Sequence, residues 1–269
     1  MTLPDDVTSV GAACAYVMRT ADPTAKLMTA RAVARAWRLG RLAHRFDMAM
    51  PDRPARPDAP ILLSPAEMPR RGKMGSERAR IAMLHALAHI EFVAIDLAFD
   101  LIGRFGDQFP PAFTDEWMRV GAEEAMHFAL LDRRLRQCGS YYGALPAHDG
   151  LWQAAEETAG DVLARLAIVP MVLEARALDI TPATVARFEG AGDMVSARML
   201  RRIMADEIRH VAAGTTWFVT ATNRLGLSAP EHYQILVRRH FRGTVKPPFN
   251  DSARRQAGLT LEYYAALAT

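Results

Sequence analysis

Apolar residues recur along this chain three and four positions apart, and no stretch shows the strict alternation of a half-buried strand. The pattern predicts an opening helix over about residues 7–19. Asp22-Pro23, a capping residue followed by proline at the first helical position, predicts a second helix reaching about Leu39. Pro51, Pro54, Pro57 and Pro60 then recur every third residue, with Pro65 and Pro69 beyond them, which favours extended, polyproline-like backbone. Residues 47–75 are therefore expected to form a strap lying across the domain; a flexible linker is the other arrangement this composition supports.

The long periodic segments follow. Ser76 can cap a helix running to about Phe105, where Gly106 and Pro110-Pro111 stop it, and Thr114 can cap the next, which ends near Cys138 and Gly139. Helical pattern resumes near Leu151 and continues to about Asp179. Thr181-Pro182 is expected to kink or restart it, before an end at Gly190-Ala191-Gly192. Asp193 can cap a further long helix to Arg224, stopped by Gly226 and Pro230. A shorter helix over 231–241 and a tail bearing Pro247-Pro248 close the chain. The expected fold is all-α: a four-helix bundle over 76–226, N-terminal helices and strap over 1–75 packed on it, and a C-terminal helix and tail over 227–269.

Composition narrows the class. With 269 residues, half of them hydrophobic and 23% charged, the chain is neither disordered nor fibrous and can bury a real core. Cys14 and Cys138 are too few for a disulfide scaffold or a thiolate zinc site, so a reducing, cytoplasmic compartment is the expectation. The first residues carry two acids and no basic-then-apolar signal, and no apolar run suggests a membrane span. A net charge of +3 is too small by itself to argue for nucleic acid, which is not expected as a partner. Arg70, Arg71, Lys73, Arg78 and Arg80 cluster ahead of the first long helix and are expected to be a solvated, salt-bridging surface.

Candidate chemistry lies in two repeats of Glu-x-x-His, Glu124/His127 and Glu207/His210, each on a predicted helix. Three residues apart, the two side chains share one helical face, about 4.5 Å apart along the axis. Chance pairing of 13 Glu and 8 His over 269 residues gives about 0.4 such motifs, so two are more than expected. The arrangement says more than the count. Glu91 precedes the first motif by 33 residues, and Glu174 precedes the second by the same 33. One Glu from each of two helices and Glu-x-x-His from each of two others form the ligand set of a carboxylate-bridged di-iron or di-manganese bundle. Four carboxylates match the charge of two divalent ions and can bridge them, and imidazole suits iron.

Asp206-Glu207-Ile208-Arg209-His210 resembles the Asp-Glu-x-Arg-His signature of the ferritin-like di-iron superfamily. Longer phrases, HALAHIEFVAIDLAFD from His85, PAHDGLW from Pro146, LEARALDITP from Leu173 and PPFN from Pro247, resemble the bacterial ferritin-like family called domain of unknown function 455. The resemblance spans roughly residues 50–260 and has no departure at the six ligand positions. It implies a ferritin-like bundle with a di-metal centre, and no settled reaction. The superfamily pattern further implies Asp206 as the hydrogen-bond partner of His127 and Glu123 as that of His210, holding each ring by its other nitrogen.

The expected activity is that of a di-iron oxidase or hydroxylase. It would use O2 as co-substrate on a small organic molecule or a nucleobase, with an electron-donor protein as partner and a homodimer as one open assembly. Manganese or a mixed Mn/Fe pair are alternatives to two iron ions. Rival readings are an iron-handling ferroxidase and a non-enzymatic helical interaction protein. His85, His89, Asp96 and Asp100 form a stripe about 200° around the helix from Glu91, expected to serve hydrogen bonding and ion pairing. His148 and Asp149 are expected at the start of the third long helix, with Asp149 as its cap, and Tyr141 and Tyr142 are expected to pack.

Overall fold

The computed structural model describes residues 2–64, 66–69 and 76–268. Arg70, Arg71 and Lys73 of the predicted basic cluster lie outside them. Among the described residues the chain is all-helical, and the only β-type pairings are isolated bridges. It resolves into two compact units, Met1–Trp152 and Gln153–Thr269.

In the first unit, α1 (Val10–Met18) packs on α3 (Glu77–Phe105), and α2 (Pro23–Arg38) packs on α4 (Pro111–Gln137). Ser9, Asp22 and Ser76 cap α1, α2 and α3, each side chain accepting from the backbone N–H three residues on. Helix α4 starts three residues before the expected Thr114 cap. Pro111 at its first position lacks only an N–H that would be unsatisfied there anyway, and Thr114 is buried inside the helix.

Described residues of the segment after α2 are tied to the helices at several points. Ala55 N–H donates to the Met18 carbonyl at 2.8 Å, Arg104 Nη2 donates to the Pro51 carbonyl at 2.7 Å, and Arg56 pairs with Asp96. Leu63 and Ala147 exchange a further backbone contact through Leu63 N–H and the Ala147 carbonyl at 2.8 Å. Glycine lets the strap close in: a Cβ on Gly103 would meet Met50 Sδ at 2.2 Å.

Contrary to expectation, one helix passes the length and apolarity test for a membrane span, the stretch Glu77–Gln108 that contains α3. In its most apolar window 67% is buried, the condition of a core helix that is apolar on nearly every side.

Helix α5 (Gly150–Glu157) leads into the second unit, which holds α6 (Val162–Ile168), a π-helical turn at Val169–Glu174, α7 (Ala175–Gly190) and α8 (Met194–Arg224). The continuous third helix predicted from Leu151 is thus interrupted twice. The first break is closed by Arg165, buried, which donates to Thr158 Oγ1 at 2.9 Å and the Ala155 carbonyl at 2.6 Å. The second is the π turn. Pro170 has no N–H to continue the ladder, and the backbone widens so that Ala175 N–H reaches the Pro170 carbonyl five residues back.

No break occurs at Thr181-Pro182, and α7 runs through Pro182. Proline there removes the donor that the Leu178 carbonyl would have accepted. That carbonyl instead accepts from Asn250 Nδ2 at 3.2 Å, so a side chain from the tail replaces the missing backbone bond. Asn250 is fixed in turn: its N–H donates to Asp179 Oδ1 at 3.0 Å and its Oδ1 caps α10 (Asp251–Gln256). Arg254 of α10 grips Asp179 at 2.8 and 2.7 Å, its guanidinium lying 5.0 Å from the Phe249 ring and 4.5 Å from Tyr264. Helix α9 (Ala229–His240) and the short α11 (Leu261–Tyr264) complete the unit; α10 and α11 carried no recognisable sequence signal.

Asn250→Ala is expected to cost about 2–3 kcal/mol in urea unfolding, through the orphaned Leu178 carbonyl and the lost cap. Adding Pro182→Ala should recover part of that loss, because residue 182 regains an N–H. A double variant no more stable than Asn250→Ala alone would refute the compensation.

Candidate metal centre

Three predicted ligands come together in the first unit. Glu91 sits in the middle of α3, and Glu124 and His127 sit one turn apart on α4, all three buried. His127 Nδ1 lies 3.4 Å from Glu91 Oε2 and 3.4 Å from Glu124 Oε2. One ligand atom from each of the three lies within 4.8 Å of the other two, a group that can hold a metal ion. Leu84, Ala88, Ala94 and Ala125 are buried on the same two helices, so the carboxylates belong to a largely apolar helix pair.

The second unit carries the matching half. His210 is fully buried on α8 with its Nδ1 3.3 Å from Glu207 Oε1. Glu174 is the last residue of the π turn, which packs on α8. Single π turns recur at functional sites because the extra residue redirects the side chains around it. The one local sequence signal for this turn is Pro170.

Asp206 is buried and held on its own helix by Arg209 Nη2 at 2.6 Å and Arg202 Nε at 3.2 Å. Glu123 is half-buried on α4.

The stripe on α3 serves structure. Asp96, fully buried, pairs with both Lys26 of α2 and Arg56 of the strap, and Arg104 Nε donates to Asp100 Oδ1 at 2.7 Å. His85 Nε2 accepts from the Gly143 N–H at 2.9 Å. Since a carbonyl can only accept, His89 donates through Nε2 to His148 O at 3.2 Å, and its Nδ1 accepts from the Tyr142 hydroxyl at 3.0 Å. Tyr142 lies stacked against both imidazoles and packs as expected, whereas Tyr141 is exposed. His148 Nδ1 accepts from the Gly150 N–H at 3.3 Å, and Asp149 pairs with Arg53 of the strap. Burial lowers the His85 pKa to about 4 and, with Arg56 adding to it, the His89 pKa to about 3. Cys14 is fully enclosed and burial pushes its thiol up, which makes it an inert core residue.

Fold and site define an all-helical protein with buried carboxylate–imidazole groups on paired helices. The chain belongs to the family described as Protein of unknown function (DUF455), whose model matches residues 19–265. A Haemophilus influenzae relative described as an uncharacterized protein is 39% identical over 210 residues, covering 76% of this chain and 73% of the relative. No solved structure matches the chain.

His85 generates a pH prediction. The unfolded chain takes up a proton there below about 6.5 and the folded chain only below about 4, so stability falls as pH drops through that window. His85→Gln, which keeps an acceptor for the Gly143 N–H, should flatten the pH dependence of the urea midpoint between those values. An unchanged slope would contradict it.

Proposed function

We propose that this chain is a carboxylate-bridged di-iron protein of ferritin-like architecture, an oxidase or hydroxylase that uses O2 on a small organic substrate or a nucleobase. The proposed ligands are Glu91, Glu124 and His127 from one half and Glu174, Glu207 and His210 from the other, combined in one four-helix bundle. The observation that carries the reading is the convergence of two carboxylates and an imidazole Nδ1 from α3 and α4 in an apolar surround. Support comes from the second half, which repeats the residue types at the same spacing of 33 and again sets a buried imidazole Nδ1 beside its Glu-x-x-His carboxylate. The donor set suits the metal: hard carboxylate oxygens balance two divalent cations, and imidazole favours iron over magnesium or calcium.

When bound, two ferrous ions supply electrons for the reduction of O2. The remaining work falls to the chain. The carboxylates would neutralise the cations, and the apolar side chains of α3 and α4 would keep water from them. With a cation held between Nδ1 of each histidine and its carboxylates, the ring proton would sit on Nε2. Asp206 is the proposed acceptor for His127 and Glu123 for His210, which would fix each ring and its basicity. An electron-donor protein in a reducing cytoplasm is the proposed partner, and a homodimer is compatible with this scheme.

Anaerobic reconstitution with Fe(II) should give about two ions per chain. It should also raise the melting temperature, since a ligand specific for the folded state stabilises it. Glu91→Ala and His210→Ala should each lose metal and the thermal shift. Unchanged metal content in both variants would remove the assignment, and manganese retained in preference to iron would change the metal. Repeated Fe(II) turnover with release of ferric product would favour a ferroxidase.

A further inference from the structure

The first unit carries a second feature, remote in kind from the carboxylate group. Between α2 and α4 runs an open groove of about 1030 Å³, continued along α4 by a recess of about 410 Å³ that shares Arg31, Arg119 and Ala122 with it. Arg31, Arg35 and Arg38 line it from α2, Arg119 and Arg133 from α4. Arg119 and Arg133 are 14 residues apart, so the basic lining extends over about 21 Å of helix.

These five guanidinium groups are exposed, and none has a hydrogen-bond or ion-pair partner among the described residues. Four other arginines of this unit are engaged, Arg45 with Asp47, Arg53 with Asp149, Arg104 with Asp100 and Arg136 with Asp132, whereas Arg41 and Arg78 are exposed outside the groove. Two acids share the lining. Asp115 accepts from Trp37 Nε1 at 2.7 Å, and Glu123 lies toward the Arg133 end. The net charge of +3 averages over the chain and hides this local excess.

Aromatic surface lies among the arginines. Trp37, half-buried in the groove, is pinned by Asp115, with the His44 ring 5.7 Å away between centroids. Arginines that follow a backbone combined with an aromatic face that accepts any base are what single-stranded nucleic acid requires. An acidic protein would satisfy the arginines and leave the aromatic surface unused. Duplex hides its bases, and unpaired bases are chiefly a feature of RNA. We infer that the α2–α4 groove binds single-stranded RNA, with Arg31, Arg35, Arg38, Arg119 and Arg133 on phosphates and Trp37 against a base.

The test is fluorescence anisotropy of the full chain with a labelled oligoribonucleotide of roughly 12 nucleotides. It needs no metal, so its result is separable from that of iron reconstitution. Five phosphate contacts predict an affinity that falls about 100-fold between about 50 and 200 mM salt. The double variant Arg35→Gln/Arg119→Gln should bind more weakly, with the slope of log affinity against log salt reduced by about 1.4. Trp37→Ala should weaken binding about tenfold, whereas Trp37→Phe, which keeps a stacking face, should retain most of it. Circular dichroism of each variant guards against loss of fold. Four results would overturn the inference: no binding at low salt, an unaltered salt slope in the double variant, equal affinity for inorganic polyphosphate, or equal or tighter binding of the matching DNA oligomer or an RNA duplex.

Discussion

Asp96 stands fully enclosed on the long core helix α3, where an uncompensated carboxylate costs several kcal/mol. Its countercharges come from far away in sequence, Lys26 on α2 and Arg56 on the strap. Once those two are committed to Asp96, the course of the first 60 residues follows. Helix α2 must bring a lysine stem against α3, and the proline-rich segment must cross at the height of Asp96. Both cations also lie over the face of Phe92, one residue beyond Glu91. The burial that lowers the Lys26 ammonium is thus offset by a carboxylate and an aromatic ring. Removing one partner would leave charge in the core, which is why the N-terminal helices belong to the unit and are not an appendage.

The second unit solves the same problem with Asp179 and Arg254. That pair is buried, hydrogen-bonded twice and covered by two aromatic rings. Arg176 extends the clamp by donating to the Lys246 and Pro248 carbonyls at 2.9 and 3.3 Å. Holding the tail this firmly places Asn250 under Pro182, and so permits a proline inside a helix that would otherwise bend. The result is an uninterrupted α7 leaving the π turn directly after Glu174.

These contacts also give physical meaning to the phrases that mark the family. LEARALDITP and PPFN are 65 residues apart in sequence, yet Arg176, Leu178 and Asp179 of the first meet Pro248 and Asn250 of the second, and Arg176 also reaches the carbonyl of Lys246 just ahead of it. In the first unit His89 of the HALAHIEF phrase bonds His148 of PAHDGLW. The phrases are complementary halves of two buried polar joints, so neither half is interpretable alone.

Helix existence, the caps at Asp22, Ser76 and Asp193, and the Glu-x-x-His repeats were legible in the sequence, because capping and helical periodicity act over three or four residues. The equal spacing of Glu91 and Glu174 from their motifs was legible for the same reason, a helix being a ruler of fixed rise. The helix through Pro182 and the partners of Asp96 were decided only by tertiary structure. Each depends on a donor or charge brought from 40 to 72 residues away: Asn250 to Leu178, 72 residues, Lys26 to Asp96, 70, and Arg56 to Asp96, 40. Local sequence states that a backbone bond or a buried charge needs a partner; the packed chain alone decides which residue supplies it.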